Sequence, residues 1–402
     1  MGVTPVPGGG VTTPRGFRAA GISAGIKASG APDLALVVSD TPAQAAAVFT
    51  TNRAQAAPVL VSKAHLAQSR GTARAIVVNS GCANACTGDT GMQVARDMAS
   101  ETARVVGCPP EHVLVASTGV IGVALSIDKV RAGLPVAYRA LGADQGSAAA
   151  RAIMTTDRFP KEAAATFSIG GRDAAIGGMT KGAGMIEPMM ATMLGFVTTD
   201  AAVPQRLLDR ALREAVDDSF NAITVDGECS TNDCVMLLAN GASQAVVDSN
   251  IYPVFVEALK TVCHDLALAI VRGGEGATKL VTVRVTGAAT TADARRAAKA
   301  IANSPLVKTA IHGGDPNWGR LIAVAGRAGV AFELSRAVVT IGTVVLFNEG
   351  GPHDELAPQA ADHLGGKDVT VGVDLGSGTA SSTVWTCDLS AEYVHINADY
   401  RT

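Results

Sequence analysis

An α/β protein of stacked sheets and helices, carrying a second, smaller lobe in its C-terminal part, is the fold class that three observations predict. Short apolar runs rich in β-branched residues alternate with amphipathic helical stretches along the whole chain. Its 402 residues exceed the usual size of one compact domain, so two lobes are expected. Hydrophobic residues make up 48% and charged residues 17%, enough for a sizeable core; with only 4% aromatic residues, Ala, Val, Leu and Ile must pack most of it.

The elements follow in order. Leu36 to Ser39, Ile76 to Asn79 and Val113 to Ala116 are apolar runs that each lead into Ser, Asn or Gly, and they read as buried strands whose ends suit a site. Between the second and third, Met92 to Val106 sets Met92, Ala95, Met98, Ala99, Thr102, Val105 and Val106 largely on one helical face. Pro204 to Val216 opens with proline at a helix start and repeats apolar residues from Leu207 to Ala215 at i, i+3 and i+4 intervals. Pro253 to Val271 follows the same logic until Gly273 and Gly274 stop it. Beyond it, Val281 to Thr286 alternates like a half-buried strand, Ala292 to Ala302 is helical, and Val338 to Phe347 and Val369 to Val373 are again strand-like. The second lobe is placed at roughly residues 280–390, while strand order is not readable from such patterns.

Composition also narrows the function. The formal charge is −3 and the Lys and Arg residues are scattered, which argues against nucleic acid as the main partner. No window holds the roughly eighteen uninterrupted apolar residues of a membrane-spanning helix. The first ten residues lack the basic flank and apolar run of a secretory signal, and Val6 breaks the myristoylation pattern, so a cytoplasmic location is expected. Seven cysteines, at 82, 86, 108, 229, 234, 263 and 387, include no C-x-x-C pair and no finger-like histidine spacing. They read as free thiols used for packing, and no metal site is expected.

The segment Lys181 to Leu194, KGAGMIEPMMATML, places Thr192 directly after the small residue Ala191, in a loop leading into a buried strand. A threonine entering a strand is ordinarily just a β-branched residue. As a nucleophile it would need a base, and the smallest one available is an α-amino group on the same residue, which exists only once the Ala191–Thr192 bond is cut. Attack of the Thr192 hydroxyl on the Ala191 carbonyl would turn the amide into an ester, and its hydrolysis would free that amine. An unperturbed α-amine titrates at about 7.7–8.0, and a cation such as Lys181 nearby would lower this further. The stretch VASTGVIG, from Val115, offers Thr118 and the backbone N–H of Gly119 to an oxyanion, although a Ser-Thr-Gly run alone reads as a strand-ending turn.

Along nearly its whole length the chain resembles the ornithine acetyltransferase family, also called glutamate N-acetyltransferase. The resemblance is carried by VTTPRGFRAAGISAGIK from Val11, VVNSGCANACTG from Val77, ASTGVIG from Ala116, IMTTDRFPK from Ile153 and KGAGMIEPMMATML. Further segments are DGECSTNDC from Asp226, GGEGATK from Gly273, GGDPNWGR from Gly313 and the terminal INADYRT. It implies an α-β-β-α-like sandwich of the kind shared with self-cleaving aminopeptidases, and self-cleavage into an alpha chain, residues 1–191, and a beta chain, residues 192–402. Thr192 matches the acyl acceptor, and Thr118 and Gly119 match the oxyanion hole. Thr155, Lys181, Thr192, Glu275, Asn397 and Thr402 match positions that hold the amino-acid substrate.

The implied reaction moves acetyl from N-acetylornithine to glutamate through an acetyl-Thr192 intermediate, in arginine biosynthesis. No cofactor is required; acetyl-CoA is left open as a second acetyl donor, and two alpha and two beta chains are implied as a heterotetramer. Ornithine and glutamate share an α-amino-acid head but differ in side-chain charge, so Lys181 and Glu275 can each find a complementary group. Taken singly, each would be a solvated surface charge. The C-terminal tail is implied to close the pocket, and the Asp315 to Arg320 cluster, with its turn residues and Trp318, reads as structural. Cys82 departs from the family pattern, where Asn is expected, as do Cys229 and Cys234, where Thr is usual. Two rival readings remain: a self-cleaving amidohydrolase or aminopeptidase that lets water deacylate the enzyme, and a non-catalytic small-molecule binding protein of the same fold.

Overall fold

In a computed structural model the described residues are 2–187 and 193–399. They form two compact units, one built from residues up to Asn221 together with Cys229–Ile270, the other from Ala222–Glu228 together with residues from Val271 on. The class is mixed α/β with two sheets and helices, as expected.

Among the described residues the first unit holds one sheet of nine strands: β1 (Thr4–Pro5), β2 (Phe17–Ile22), β3 (Leu34–Phe49), β4 (Thr72–Cys82), β5 (Val113–Val120), β6 (Lys161–Ile169), β7 (Arg172–Lys181), β8 (Leu194–Thr199) and β9 (Cys234–Ala239). Their order is β1-β6-β7-β8-β9-β3-β4-β5, with β2 paired to β3. The helices are α1 (Ala57–Gln68), α2 (Gly88–Val106), α3 (Ile127–Arg139), α4 (Gly146–Ala152), α5 (Gln205–Asp217) and α6 (Tyr252–Arg272), the last running out of this unit at its C-terminal end.

The near-continuous apolar runs of β3 to β5 follow from burial on both faces. With a period of two, Leu36, Ala75, Val77, Val113 and Val115 pack on one face with Ala95, Met98 and Ala99 of α2 and Leu134 of α3. Ala35, Val37, Ile76, Val78, Leu114 and Ala116 face the other way, toward Ala149 and Ala150 of α4 and Phe196 and Met236 of β8 and β9. Each fully buried Val, Leu, Ile, Phe or Met among them contributes roughly 1.5–3 kcal/mol, and each alanine methyl less than about 1 kcal/mol.

The expected strand at Leu36 to Ser39 is only the first part of β3. This strand pairs with β4 through Leu34–Val38 and with β9 through Gln44–Phe49, and its register with β4 shifts between Val38 and Ala43. The exposed Asp40, Thr41 and Pro42 at that irregularity interrupt the apolar signal.

The second unit holds β10 (Leu280–Ala288), β11 (Val338–Ile341), β12 (Val344–Asn348), β13 (Gly351–Pro352), β14 (Asp368–Asp374) and β15 (Ala380–Cys387), in the order β13-β12-β11-β14-β10-β15. Its helices are α7 (Thr291–Ala302), α8 (Pro305–Gly313), α9 (Trp318–Arg327), α10 (Ala357–Leu364) and α11 (Ala391–Asp399). Val281, Val283 and Val285 alternate inward against Ala294, Ala297, Ala298 and Ile301 of α7, the half-buried pattern that the sequence predicts. Thr290, Ser304 and Asn317 start α7, α8 and α9 by accepting backbone N–H groups three residues on.

The run Val338 to Phe347, read as one strand, is instead the hairpin β11–β12. Gly342, at φ +60°, makes the turn, and a Cβ there would lie 2.8 Å from the His363 ring. In the Asp315 to Arg320 cluster Asn317 caps α9, and Trp318 stacks on Phe347 with ring centroids 5.1 Å apart. Among the described residues no helix is long and apolar enough to cross a membrane.

Candidate active site

In the first unit the site is built at the C-terminal ends of β4 and β5, which run parallel with Ser80 opposite Thr118 and Gly81 opposite Gly119. The Ser117-Thr118-Gly119 stretch is not a turn that ends the strand; β5 continues through it to Val120. Gly119 has φ +127°, and a Cβ on it would sit 2.4 Å from the Gly81 carbonyl carbon, so only glycine fits where the two strand ends crowd together. Around it the polar groups are satisfied internally. Ser117 Oγ donates to Asn79 Oδ1 at 2.6 Å, Asn79 Nδ2 to the Cys82 carbonyl at 2.8 Å, and Asn232 Nδ2 to the carbonyls of Ala83 and Ser117 at 2.6 and 2.9 Å.

Lys181 is the last residue of β7 and pairs across the ladder with Leu194, the first residue of β8. It is only 9% exposed, so it is not a solvated surface charge. Its Nζ donates to Thr118 Oγ1 at 3.3 Å. The hydroxyl accepts from the ammonium, which leaves its own proton free for another acceptor.

Thr155 lies between α4 and β6, and its backbone N–H donates to Asp157 Oδ2 at 2.9 Å. The other carboxylate oxygen, Oδ1, accepts from Lys161 Nζ at 2.5 Å and from the Gly182 N–H at 2.8 Å. Both side chains of the Asp157–Lys161 pair are fully buried. Burial pushes the Asp157 carboxyl up, but the Lys181 and Lys161 ammonium groups and the hydrogen bonds outweigh it and hold the group at about 2. Burial in turn lowers Lys161, with Asp157 opposing the shift. Lys27 Nζ donates to the Met154 carbonyl at 2.7 Å, steadying the same turn from the other side.

A second buried carboxylate, Asp233, directly precedes β9. Its Oδ2 has no hydrogen-bond partner among the described residues. Burial raises this group well above the usual carboxylate range, and the Ser230 hydrogen bonds and the Lys181 charge only partly oppose that.

In the second unit, Asn397 on α11 donates from Nδ2 to Glu275 Oε2 at 2.7 Å, and Glu275 is 6% exposed. The loop that carries Glu275 passes close to that helix. A Cβ on Gly276, at φ +67°, would lie 2.6 Å from the Tyr393 backbone nitrogen.

Of the sequence-predicted residues, the structure thus joins Thr118 to Lys181 directly, Thr155 to the Lys181 end of β7 through Asp157, and Glu275 to Asn397. Ala191, Thr192 and Thr402 lie outside the described residues. Among those described, no group of three or more His, Cys, Asp or Glu residues is gathered in a way that could hold a metal. The three cysteines that depart from the family pattern have thiols raised by burial: Cys82, which donates to the Val123 carbonyl at 3.1 Å, Cys229, close to Thr50, and Cys234. They are neutral near pH 7 rather than reactive thiolates.

Sequence reasoning missed Asp157, Lys161 and Asp233. The D-x-x-x-K spacing inside TTDRFPK and the acid in STNDC were the available signals.

A mixed α/β fold with a Thr-Gly strand end and a buried lysine hydrogen-bonded to that threonine places the chain in the class of α/β enzymes to which its relatives point. The ArgJ family model matches residues 18–402, and the chain belongs to that family. It is 51% identical to the arginine biosynthesis bifunctional protein ArgJ of Symbiobacterium thermophilum over 401 residues, covering 98% of this chain and 99% of that one. To the protein of the same name from Thermosynechococcus vestitus it is 50% identical over 412 residues, covering 98% of each. A solved structure, ornithine acetyltransferase complexed with ornithine from Mycobacterium tuberculosis, is 43% identical over 47% of this chain and 100% of that chain, with a TM-score of 0.44.

Proposed function

We propose that this ArgJ-family enzyme transfers acetyl from N2-acetyl-L-ornithine to L-glutamate through an acetyl ester on Thr192, a step of arginine biosynthesis. The observation that carries the reading is the Lys181–Thr118 hydrogen bond at the point where Leu194 returns beside Lys181. The loop bearing the proposed nucleophile therefore leaves and re-enters the sheet next to the proposed oxyanion donor.

Processing comes first. Thr192 Oγ attacks the Ala191 carbonyl, the peptide C–N bond breaks, and water hydrolyses the resulting ester. The products are the Ala191 carboxylate and a Thr192 α-amine, and hence two chains, residues 1–191 and 192–402. In turnover Thr192 Oγ attacks the acetyl carbonyl of N-acetylornithine while the Thr192 amine takes its proton. Thr118 Oγ1–H and the Gly119 N–H donate to the oxyanion, and the lysine bound to Thr118 Oγ1 supports that role by leaving the hydroxyl proton free. The amine then returns the proton to the departing ornithine nitrogen. Glutamate attacks the acetyl-Thr192 ester, takes the acetyl group and restores the hydroxyl.

Thr155, Lys181, Glu275, Asn397 and Thr402, with Thr192, are the proposed substrate-binding set. Lys181 and Glu275 supply the opposite charges that two substrates of opposite side-chain charge require. All the groups this chemistry needs are side chains and backbone of the chain itself, so no cofactor enters the proposal. The bifunctional name of the relatives supports acetyl-CoA as a second donor to glutamate. The processed chains are proposed to assemble as two alpha and two beta chains in the cytoplasm.

Mass spectrometry of purified protein combined with an acetyl-transfer assay tests this. Two fragments, the second starting at Thr192, are expected, with transfer from N-acetylornithine to glutamate; acetyl-CoA plus glutamate is assayed separately. Thr192→Ala should remain one chain and inert. An active enzyme that is a single uncut chain, or acetate release that does not depend on glutamate, overturns the proposal.

A further inference from the structure

We propose that Asp157 is a positioning residue: one buried carboxylate that fixes the Lys181 end of β7 against the Thr155 turn and so holds two substrate-binding groups in register. The inference deepens the function proposed above and rests on Lys181 contacting the amino-acid substrate. Asp157 hydrogen-bonds to three groups at this corner. Oδ2 accepts the Thr155 N–H at 2.9 Å, and Oδ1 accepts both the Gly182 N–H at 2.8 Å and Lys161 Nζ at 2.5 Å. Gly182 follows Lys181 directly and has φ +155°, at the limit of what a side-chain-bearing residue adopts, so the chain turns out of β7 where Asp157 grips it. The Lys181 charge, with that of Lys161, opposes burial in holding the same carboxylate low.

Lys161 completes the arrangement without reaching the substrate groups. It is the first residue of β6, its side chain is fully buried, and its ammonium lies 5.0 Å from the centre of the Phe159 ring. A buried carboxylate with only Lys181 beside it would bind that ammonium as its full partner. With Lys161 donating directly to it, Asp157 can orient the end of β7 without serving as the sole partner of Lys181. A substrate carboxylate entering beside Lys181 then meets an ammonium that Asp157 does not fully neutralise.

The test separates orientation from mere pairing with Lys161. Asp157→Asn leaves Lys161 buried without its partner and should lower Tm; Asp157→Asn with Lys161→Gln removes both charges and should recover most of it. If Asp157 positions Lys181, the double variant still binds ornithine, measured by calorimetry, about tenfold or more weakly than wild type, the scale of a lost hydrogen bond to a charged group. Its KM for N-acetylornithine rises in step, with a smaller change in kcat. Wild-type ornithine affinity in the double variant overturns the inference.

Should the neutral variants be too unstable to titrate, Asp157→Glu carries the same test. It keeps the charge beside Lys161 but displaces the oxygens by one methylene, so affinity should fall; wild-type affinity would overturn the inference. Lys181→Met marks the difference between the two levels of the proposal. Unchanged ornithine affinity in Lys181→Met removes the substrate role of Lys181 itself, whereas weakened binding there beside wild-type binding in the Asp157 variants removes only the role of Asp157.

Discussion

Asp157 and Asp233 are both buried in the same unit and both feel the Lys181 ammonium, yet one is held at about 2 and the other is raised well above the ordinary carboxylate range. Desolvation penalises both charges, so burial alone does not separate them. What differs is the number of donors. Asp157 receives a buried ammonium and two backbone N–H groups, while Asp233 is bonded only through Ser230 and leaves Oδ2 without a partner among the described residues. The charge of a nearby cation therefore does not offset the burial of a carboxylate unless short, directed hydrogen bonds add to it. One consequence bears on the proposed chemistry: the carboxylate held in its charged form beside the proposed substrate-binding lysine is Asp157, whereas burial disfavours the charged form of Asp233.

The largest expected effect follows from breaking only one of the two. Asp157→Asn leaves Lys161 buried without its anion, and loss of one partner of a buried pair costs about 3–5 kcal/mol. Asp233→Asn keeps the shape of the side chain and removes a carboxyl whose charged form burial disfavours, so it should cost less than about 1 kcal/mol, within the range of ordinary substitutions. Chemical denaturation of both variants at neutral pH checks this. Equal losses would mean that Asp233 is ionised after all and that the contrast is false.

The same contrast marks how far the sequence could be read. Strands and helices with a clean period, such as β10, α5 and α6, were legible because burial on one face leaves a regular trace. α2 begins at Gly88, ahead of the expected Met92, because the residues GDTG carry turn-like chemistry. Gly91 nevertheless packs so tightly on Thr87 that a Cβ would lie 1.8 Å from its hydroxyl. Thr118, Gly119, Lys181 and Glu275 are proposed from the segments that contain them, whereas a lysine or glutamate read singly is assigned to solvent, and the burial of Lys181 and Glu275 departs from that single reading. Lys161 was missed for that reason. It opens a strand, where a lysine is ordinarily solvated, and the anion that lets it be buried lies four residues earlier across a non-helical turn, a proximity no periodicity records. The raised pKa of Asp233 is equally hidden, because it depends on donors that are absent among the described residues rather than on residues that are present.

Acid titration sharpens the comparison next. The folded value of Asp157, about 2, lies below the unfolded value of about 3.9, so its stabilisation is present above pH 3.9 and is lost as pH falls through about 2, a loss of roughly 2–3 kcal/mol. The difference in unfolding free energy between wild type and Asp157→Asn, measured in steps from pH 5 to pH 2, should shrink by about that amount, the acid losses of other carboxylates being common to both.

Asp233 gives the smallest signal and the opposite sign. Because burial raises its folded value, the native state holds a proton that the unfolded chain releases, so its contribution is most favourable below the unfolded value of about 3.9 and diminishes as pH rises toward the folded one. Asn cannot titrate. The difference in unfolding free energy between wild type and Asp233→Asn should therefore shift in favour of the variant between pH 4 and pH 7, and most of that shift should survive added salt because the group is buried. A difference that stays flat across this range would place the folded pKa of Asp233 at its ordinary value. The unpartnered Oδ2 would then have to be an ionised oxygen, and the two carboxylates would no longer differ in the way their donors imply.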